Sequence, residues 1–165
     1  MRMRTKITGA LTAAGATVLL SLGTAPAAHA AGNVFQYHNA RTGLCLDSNA
    51  KGDVYTKTCG ATNPYQQWER GVQNGQILLR NVQTRRCLWI DPFLPGHLET
   101  DPACGNGMLW TELYSGGTYR LVDEYLNLNT GQTSTQAVDS DAKGNAYAKT
   151  YGSDNPYQQW TVTSP

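Results

Sequence analysis

The side chains in this chain that could do chemistry are mostly carboxylates, and they fall into two groups. Glu69, Asp91, Glu99, Asp101, Glu112 and Asp123 are scattered without a repeating interval. Glycoside hydrolysis would need two of them facing each other at a set separation across a cleft, and their spacing supplies no such pair. Asp47 and Asp139 instead open two nearly identical segments, "DSNAKG" and "DSDAKG". Both follow the calcium loop D-x-[DN]-x-[DN]-G at first. The fifth ligand position is then Lys51 or Lys143, and the twelfth, which needs a bidentate Glu, is Thr58 or Thr150. An ammonium group in the shell argues against the ion. Zinc has no better set, because only His38 and His97 follow the leader and the thiols are better used as disulfides. The expectation is no metal, no cofactor and no catalytic residue: a binding protein rather than an enzyme.

The leader is Met1 to Ala30. Arg2, Arg4 and Lys6 precede an apolar stretch from Ile7 to about Gly23, and Ala28-His29-Ala30 has the small-x-small form of a signal-peptidase site. Residues 1 to 30 therefore read as a secretory signal, and no membrane span is expected because the apolar stretch is short and no second one follows. Residues 31 to 165 suit one extracellular domain with a single core. Without the leader's three cations the balance is 10 basic to 12 acidic residues, about −2. No Lys/Arg cluster exists for a phosphate backbone, so nucleic acid is not expected as a partner.

What positions these carboxylates is a repeat. Shifting the chain by 92 residues lays Asp47–Trp68 on Asp139–Trp160 with 15 of 22 positions identical, including "NPYQQW" at Asn63–Trp68 and Asn155–Trp160. Shifting by 42 lays "FQYHNARTGLCL" on "ILLRNVQTRRCL", Cys45 on Cys87 and Trp68 on Trp110. Three units result, about 33–74, 75–116 and 117–165, each unable to bury its apolar face alone. Apolar-aromatic runs of strand length separated by turn residues, with no helical periodicity past the leader, predict an all-β domain. The third unit carries about eight extra residues between Val122 and Val138. Within it Tyr125-Leu126-Asn127 and Ala137-Val138-Asp139 compete for the place of Cys45-Leu46-Asp47, and the unbroken 92-residue register favours the second. Repeat logic also favours local disulfides, Cys45 with Cys59 and Cys87 with Cys104, each stabilising by about 3 kcal/mol.

A Cys-Leu-Asp opening, a Gln-x-Trp ending and three units of some 42 residues resemble the ricin B-chain type (QxW) lectins, secreted members of which fold as a β-trefoil. The resemblance implies that Trp68, Trp110 and Trp160 are core and that carbohydrate is the partner. It implies ligand sites in units one and three, built from Asp47, Tyr55, Lys57, Tyr65 and Gln66 and from Asp139, Tyr147, Lys149, Tyr157 and Gln158. Within these sets the glutamines hold backbone or the aspartate in place. The family places an aromatic residue where Lys57 and Lys149 stand, and an asparagine where Tyr65 and Tyr157 stand. Tyr55 and Tyr147 can rebuild the aromatic wall. Asp47 and Asp139 also have a plainer reading, as caps on the turns that follow them. Unit two has Trp89 and Met108 in place of the acid and the glutamine, and reads as structural. The alternative for the whole protein is a protein-binding or inhibitory trefoil that has lost sugar binding.

Overall fold

Strands form where buried and outward-facing side chains alternate. In Gln76–Asn81 the side chains of Ile77, Leu79 and Asn81 are buried and their neighbours are only partly so, the period of two expected when one face meets the core. The computed structural model describes residues 33–165; the expected secretory signal lies outside the described residues. Twelve strands occupy them, four to a repeat. They are β1 (Val34–Asn39), β2 (Cys45–Ser48), β3 (Val54–Lys57) and β4 (Trp68–Gln73), then β5 (Gln76–Asn81), β6 (Cys87–Ile90), β7 (Leu98–Asp101) and β8 (Leu109–Ser115), and finally β9 (Thr118–Asn127), β10 (Gln132–Ser140), β11 (Ala146–Thr150) and β12 (Trp160–Thr163).

The outer strands of the repeats close a ring. β1 pairs β4, β4 pairs β5, β5 pairs β8, β8 pairs β9, β9 pairs β12 and β12 returns to β1, all antiparallel. Closure removes the sheet edges that would otherwise invite another chain. The inner strands form three hairpins, β2–β3, β6–β7 and β10–β11. Each hairpin turn is bonded to the next repeat: Thr100 N donates to Gly52 O (2.9 Å), Ala148 N to Gly96 O (2.9 Å) and Thr56 N to Gly144 O (2.7 Å). This cycle is the pseudo-threefold cap of a β-trefoil. It requires glycine, because φ is +106°, +81° and +93° at these positions and an added Cβ would meet the donating residue's own carbonyl oxygen at 2.8, 3.2 and 2.9 Å.

Trp68, Trp110 and Trp160 are buried and share one core cluster with Leu46, Leu88 and Val138. Their indole N–H groups donate to the carbonyls of those same three residues, at 3.1, 2.9 and 3.1 Å. A buried indole thus finds its partner on the second strand of its own repeat. The disulfides are Cys45–Cys59 and Cys87–Cys104. The third repeat has Ala137 and Tyr151 at the corresponding places.

The eight extra residues lengthen one hairpin. Asn39 and Asn81 each accept, through Oδ1, the backbone N–H groups two and three residues ahead, and Asn127 does the same with Asn129 and Thr130. The same turn therefore recurs 42 and then 46 residues on. β9 overruns by four residues and β10 returns by four, which places Ala137-Val138-Asp139 where the first repeat has Cys45-Leu46-Asp47. Asp123, at the original 42-residue interval, stays within the strand opposite Gln136.

Candidate functional site

Val54 and Thr56 face the core, so Tyr55 and Lys57 on the same strand face outward. The β2–β3 register sets Asp47 directly across from Tyr55 and Cys45 across from Lys57. Between these strands the turn is capped by Asn49, whose Oδ1 accepts from the N–H groups of Lys51, Gly52 and Asp53 at 2.9 to 3.1 Å. Asp47 is left free of that duty. It bonds instead to the far corner, where Asn63 Nδ2 donates to Asp47 Oδ2 at 3.3 Å. Asp47 is 2% exposed, and the Tyr55 side chain across the strand pair is hydrogen-bonded to its carboxylate as well.

The corner is a short 3₁₀ turn, Pro64–Gln66, with Asn63 as its cap: Asn63 Oδ1 accepts from Tyr65 N at 3.1 Å. Proline in the first turn has its φ preset and no N–H to leave unsatisfied. The cap's amide then has its nitrogen free to reach Asp47. The result is a cleft of about 540 Å³ lined by Asp47, Asn49, Lys51, Tyr55, Lys57, Asn63 and Tyr65 together with Ala50. The Tyr55 phenol is pushed up, first by burial and then by the negative charge of Asp47. Tyr65 is held through its carbonyl, which accepts from Asn81 Nδ2 at 2.7 Å.

Gln66 and Gln158 require a correction, because neither can reach a ligand. Both are fully buried. Gln66 Oε1 accepts from Gly60 N (2.8 Å) while its Nε2 donates to Thr58 O (3.0 Å). Gln158 repeats the clamp with Gly152 N (2.9 Å) and Thr150 O (3.1 Å). They hold backbone, not the aspartate. The polar residue in contact with the aspartate is Asn63, and in the third repeat Asn155, neither of which the sequence reading had singled out. The signal was present in the doubled "NPYQQW", whose first letter is this asparagine.

The third repeat reproduces the geometry. Asp139 stands across from Tyr147 and Ala137 across from Lys149, and Asn155 Nδ2 donates to Asp139 Oδ2 at 2.7 Å. Burial and the charge of Asp139 push the Tyr147 phenol up as well. The turn cap is Asp141, whose Oδ1 accepts from Lys143 N and Asn145 N. Asn145 Nδ2 donates to Asp141 Oδ2, mirroring the Asn49-to-Asp53 bond with the two residue types exchanged. The plainer reading, in which Asp47 and Asp139 cap these turns, is therefore replaced by capping through Asn49 and Asp141. Tyr157 faces Arg41, Thr42, Leu44 and Ala142 across a smaller cleft of about 390 Å³.

In the second repeat, Trp89 lies across from Glu99, and its indole donates to Glu99 Oε1 at 2.9 Å. Its corner, Asn106–Met108, has Gly105 as cap with no side-chain bond. Of the other scattered acids, Glu112 accepts from Arg70 Nε (2.8 Å) and the Tyr37 hydroxyl (3.1 Å), and Glu69 pairs with Arg85. Asp91, His97 and Glu99 bring ligand-type atoms within 4.8 Å of one another. Asp91 Oδ1 already accepts from Phe93 N at 2.8 Å, and Glu99 is engaged by Trp89.

Fold and site together define a β-trefoil whose first and third repeats carry the same aspartate–tyrosine–asparagine constellation. No family model and no curated protein matches the sequence. Solved structures do match in fold. One is the designed 3-fold symmetric protein ThreeFoil, with TM-score 0.62 and 20% identity over 80% of this chain and 99% of that one. Another is a GlcNAcα1-4Gal-releasing endo-β-galactosidase from Clostridium perfringens, with TM-score 0.66 and 19% identity over 81% of this chain. The match spans about 33% of that enzyme's length.

Proposed function

We propose that the protein is a secreted carbohydrate-binding module of the ricin B-type, holding sugars in shallow sites of its first and third repeats. The observation that carries this reading is the cleft in which Asp47, oriented by Asn63, is bordered by Tyr55 and Tyr65. A carboxylate in such a cleft is a charge-assisted acceptor for sugar hydroxyls, stronger than a neutral one. The tyrosines offer ring faces to the apolar C–H face of a pyranose. Lys51 and Lys57 border the same cleft and would admit an acidic sugar. The likeness in fold to part of an enzyme whose name places its action on a galactoside is in keeping with this class of ligand. So are the two disulfides, which persist in oxidising compartments.

A single shallow site of this kind binds in about the millimolar range; two on one rigid body raise apparent affinity for a polymer severalfold to orders of magnitude. No role in catalysis is proposed for any residue. The test is binding of residues 31–165 to neutral and acidic glycans and insoluble polysaccharides, with Asp47→Ala, Asp139→Ala and the double variant. Weakening in each single variant and loss in the double supports two sites. A folded protein that binds nothing on the panel refutes the reading.

A further inference from the structure

The junction of the second and third repeats departs from the other two junctions in a way the barrel does not require. Asn39 Nδ2 donates to Tyr157 O and Asn81 Nδ2 to Tyr65 O, both at 2.7 Å, so each first strand is pinned to the corner of the preceding repeat in the ring. At the third junction the corresponding residues are Asp123 and Gly107. A carboxylate cannot donate to a carbonyl, and glycine leaves empty the space that a tyrosine ring would fill. A cleft of about 380 Å³ opens there. Its apolar walls are Trp89, Ile90, Pro92, Leu109, Leu126 and Leu128, and the charged residues lining it are both acids, Asp123 and Glu124.

The lengthened β9–β10 hairpin forms one wall of this cleft and is fastened to the loop that follows β6. Leu128 N donates to Pro92 O (3.0 Å), Asn129 Nδ2 to Phe93 O (2.8 Å) and the Tyr125 hydroxyl to Asp91 O (3.3 Å). The wall is thus fixed in advance of binding. Beyond it Phe93, Leu94, Leu126 and Leu128 remain 44 to 59% exposed. Clustered exposed apolar side chains of this kind mark interaction surfaces. The hairpin extension adds Leu126 and Leu128 to the two on the β6 loop without being needed to close the barrel, since the first repeat closes without it.

We propose that this cleft docks an extended segment of a partner protein carrying a lysine or arginine beside apolar residues. The apolar walls take the neighbouring side chains, and the cation lies against Asp123 and Glu124, with Trp89 available to a guanidinium or ammonium face. Burial pushes the Asp123 carboxyl up to about 6, with the Glu124 charge adding to this against a bond from the Glu124 N–H, so at neutral pH it is ionised at a cost that a cation relieves. Two carboxylates at the mouth disfavour an anionic membrane. The site is separate from the sugar clefts and does not depend on them.

The probe is a random heptapeptide library displayed on phage, selected against residues 31–165 at pH 7.5. Peptides with a lysine or arginine next to a leucine or an aromatic residue should be enriched. As synthetic peptides they should bind roughly tenfold or more weakly to Asp123→Asn and to Leu128→Ser and unchanged to Asp47→Ala. Asp123→Asn restores the residue type of the other two junctions, so it should fold, and circular dichroism checks both variants. Four results overturn the proposal: no enrichment, enrichment without a basic residue, binding that survives Asp123→Asn, or a cleft already filled by a second copy. The last would appear in sedimentation as a dimer that Leu128→Ser dissolves. Failure here with intact glycan binding leaves the sugar reading standing, and the reverse holds equally.

Discussion

Asn63 Nδ2 donates to Asp47 Oδ2 at 3.3 Å and thereby turns a nearly buried carboxylate into an oriented acceptor, which the Tyr55 side chain also bonds from the facing strand. Asn155 and Asp139 repeat the arrangement in the third repeat at 2.7 Å. The same asparagine caps the corner, so the acceptor's orientation is tied to the local fold.

Asp47→Ala should lower affinity for the bound sugar about 10- to 100-fold, the range for a hydrogen bond to a charged acceptor. Asn63→Ala should lower it less, because the carboxylate remains but is no longer oriented. Titration calorimetry with the best glycan from the panel reads both. Equal affinity of Asp47→Ala and the parent would remove Asp47 from the site.

Gln66→Ala should affect stability rather than binding. It orphans Gly60 N and Thr58 O, both satisfied through the Gln66 amide, at about 2–4 kcal/mol for the pair of lost bonds and the cavity. Urea unfolding measures the loss. Affinity per folded molecule should be unchanged, and a selective loss of binding would restore Gln66 to the ligand site.

Gly144→Ala should destabilise by more than about 2 kcal/mol, since φ is +93° and the new Cβ would lie 2.9 Å from Thr56 O. Gly131→Ala is the control, with φ +68° and nothing within 4 Å, and should show only the backbone cost of about 1 kcal/mol. Thermal unfolding of the two variants side by side separates the clash from the φ cost.

The stability of the protein should depend on pH through Asp123. Its carboxyl rises from 3.8 to about 6 on folding, chiefly by burial, so between these values the folded state keeps a proton that the unfolded chain has released. Stability is therefore lost as pH rises through that window, and the full penalty is present at pH 7. The group is only half-buried, and solvent screening reduces the effect to about 1 kcal/mol. Asp123→Asn should be more stable than the parent by that amount at pH 7 and about equal to it at pH 4, read from urea midpoints at both.

Much of this molecule was legible because repetition exposes structure that a single copy hides. Trp68, Trp110 and Trp160 mark the repeats by spacing alone, and the cysteines fall into local pairs. Asn63 was harder to see, because the family pattern directs attention to the position of Tyr65, two residues later, and only the path of the 3₁₀ turn shows which side chain reaches Asp47. Gln66 looked like a ligand contact for the same reason. An amide is equally suited to bonding a sugar or its own backbone, and burial decides between them.

The amino-acid sequence by itself determined the all-β class, the threefold plan, the disulfide partners and the matched Asp47 and Asp139, since each follows from residue type and interval along one dimension. Tertiary structure decided what happens between repeats. The cycle Gly52–Thr100, Gly96–Ala148 and Gly144–Thr56 joins residues 48 to 88 positions apart, and the cleft at Asp123 exists because a residue change in one repeat faces a residue change in another. Hydrogen bonding and burial act through space, so a polar side chain's task is fixed only when closure of the barrel has chosen its neighbours.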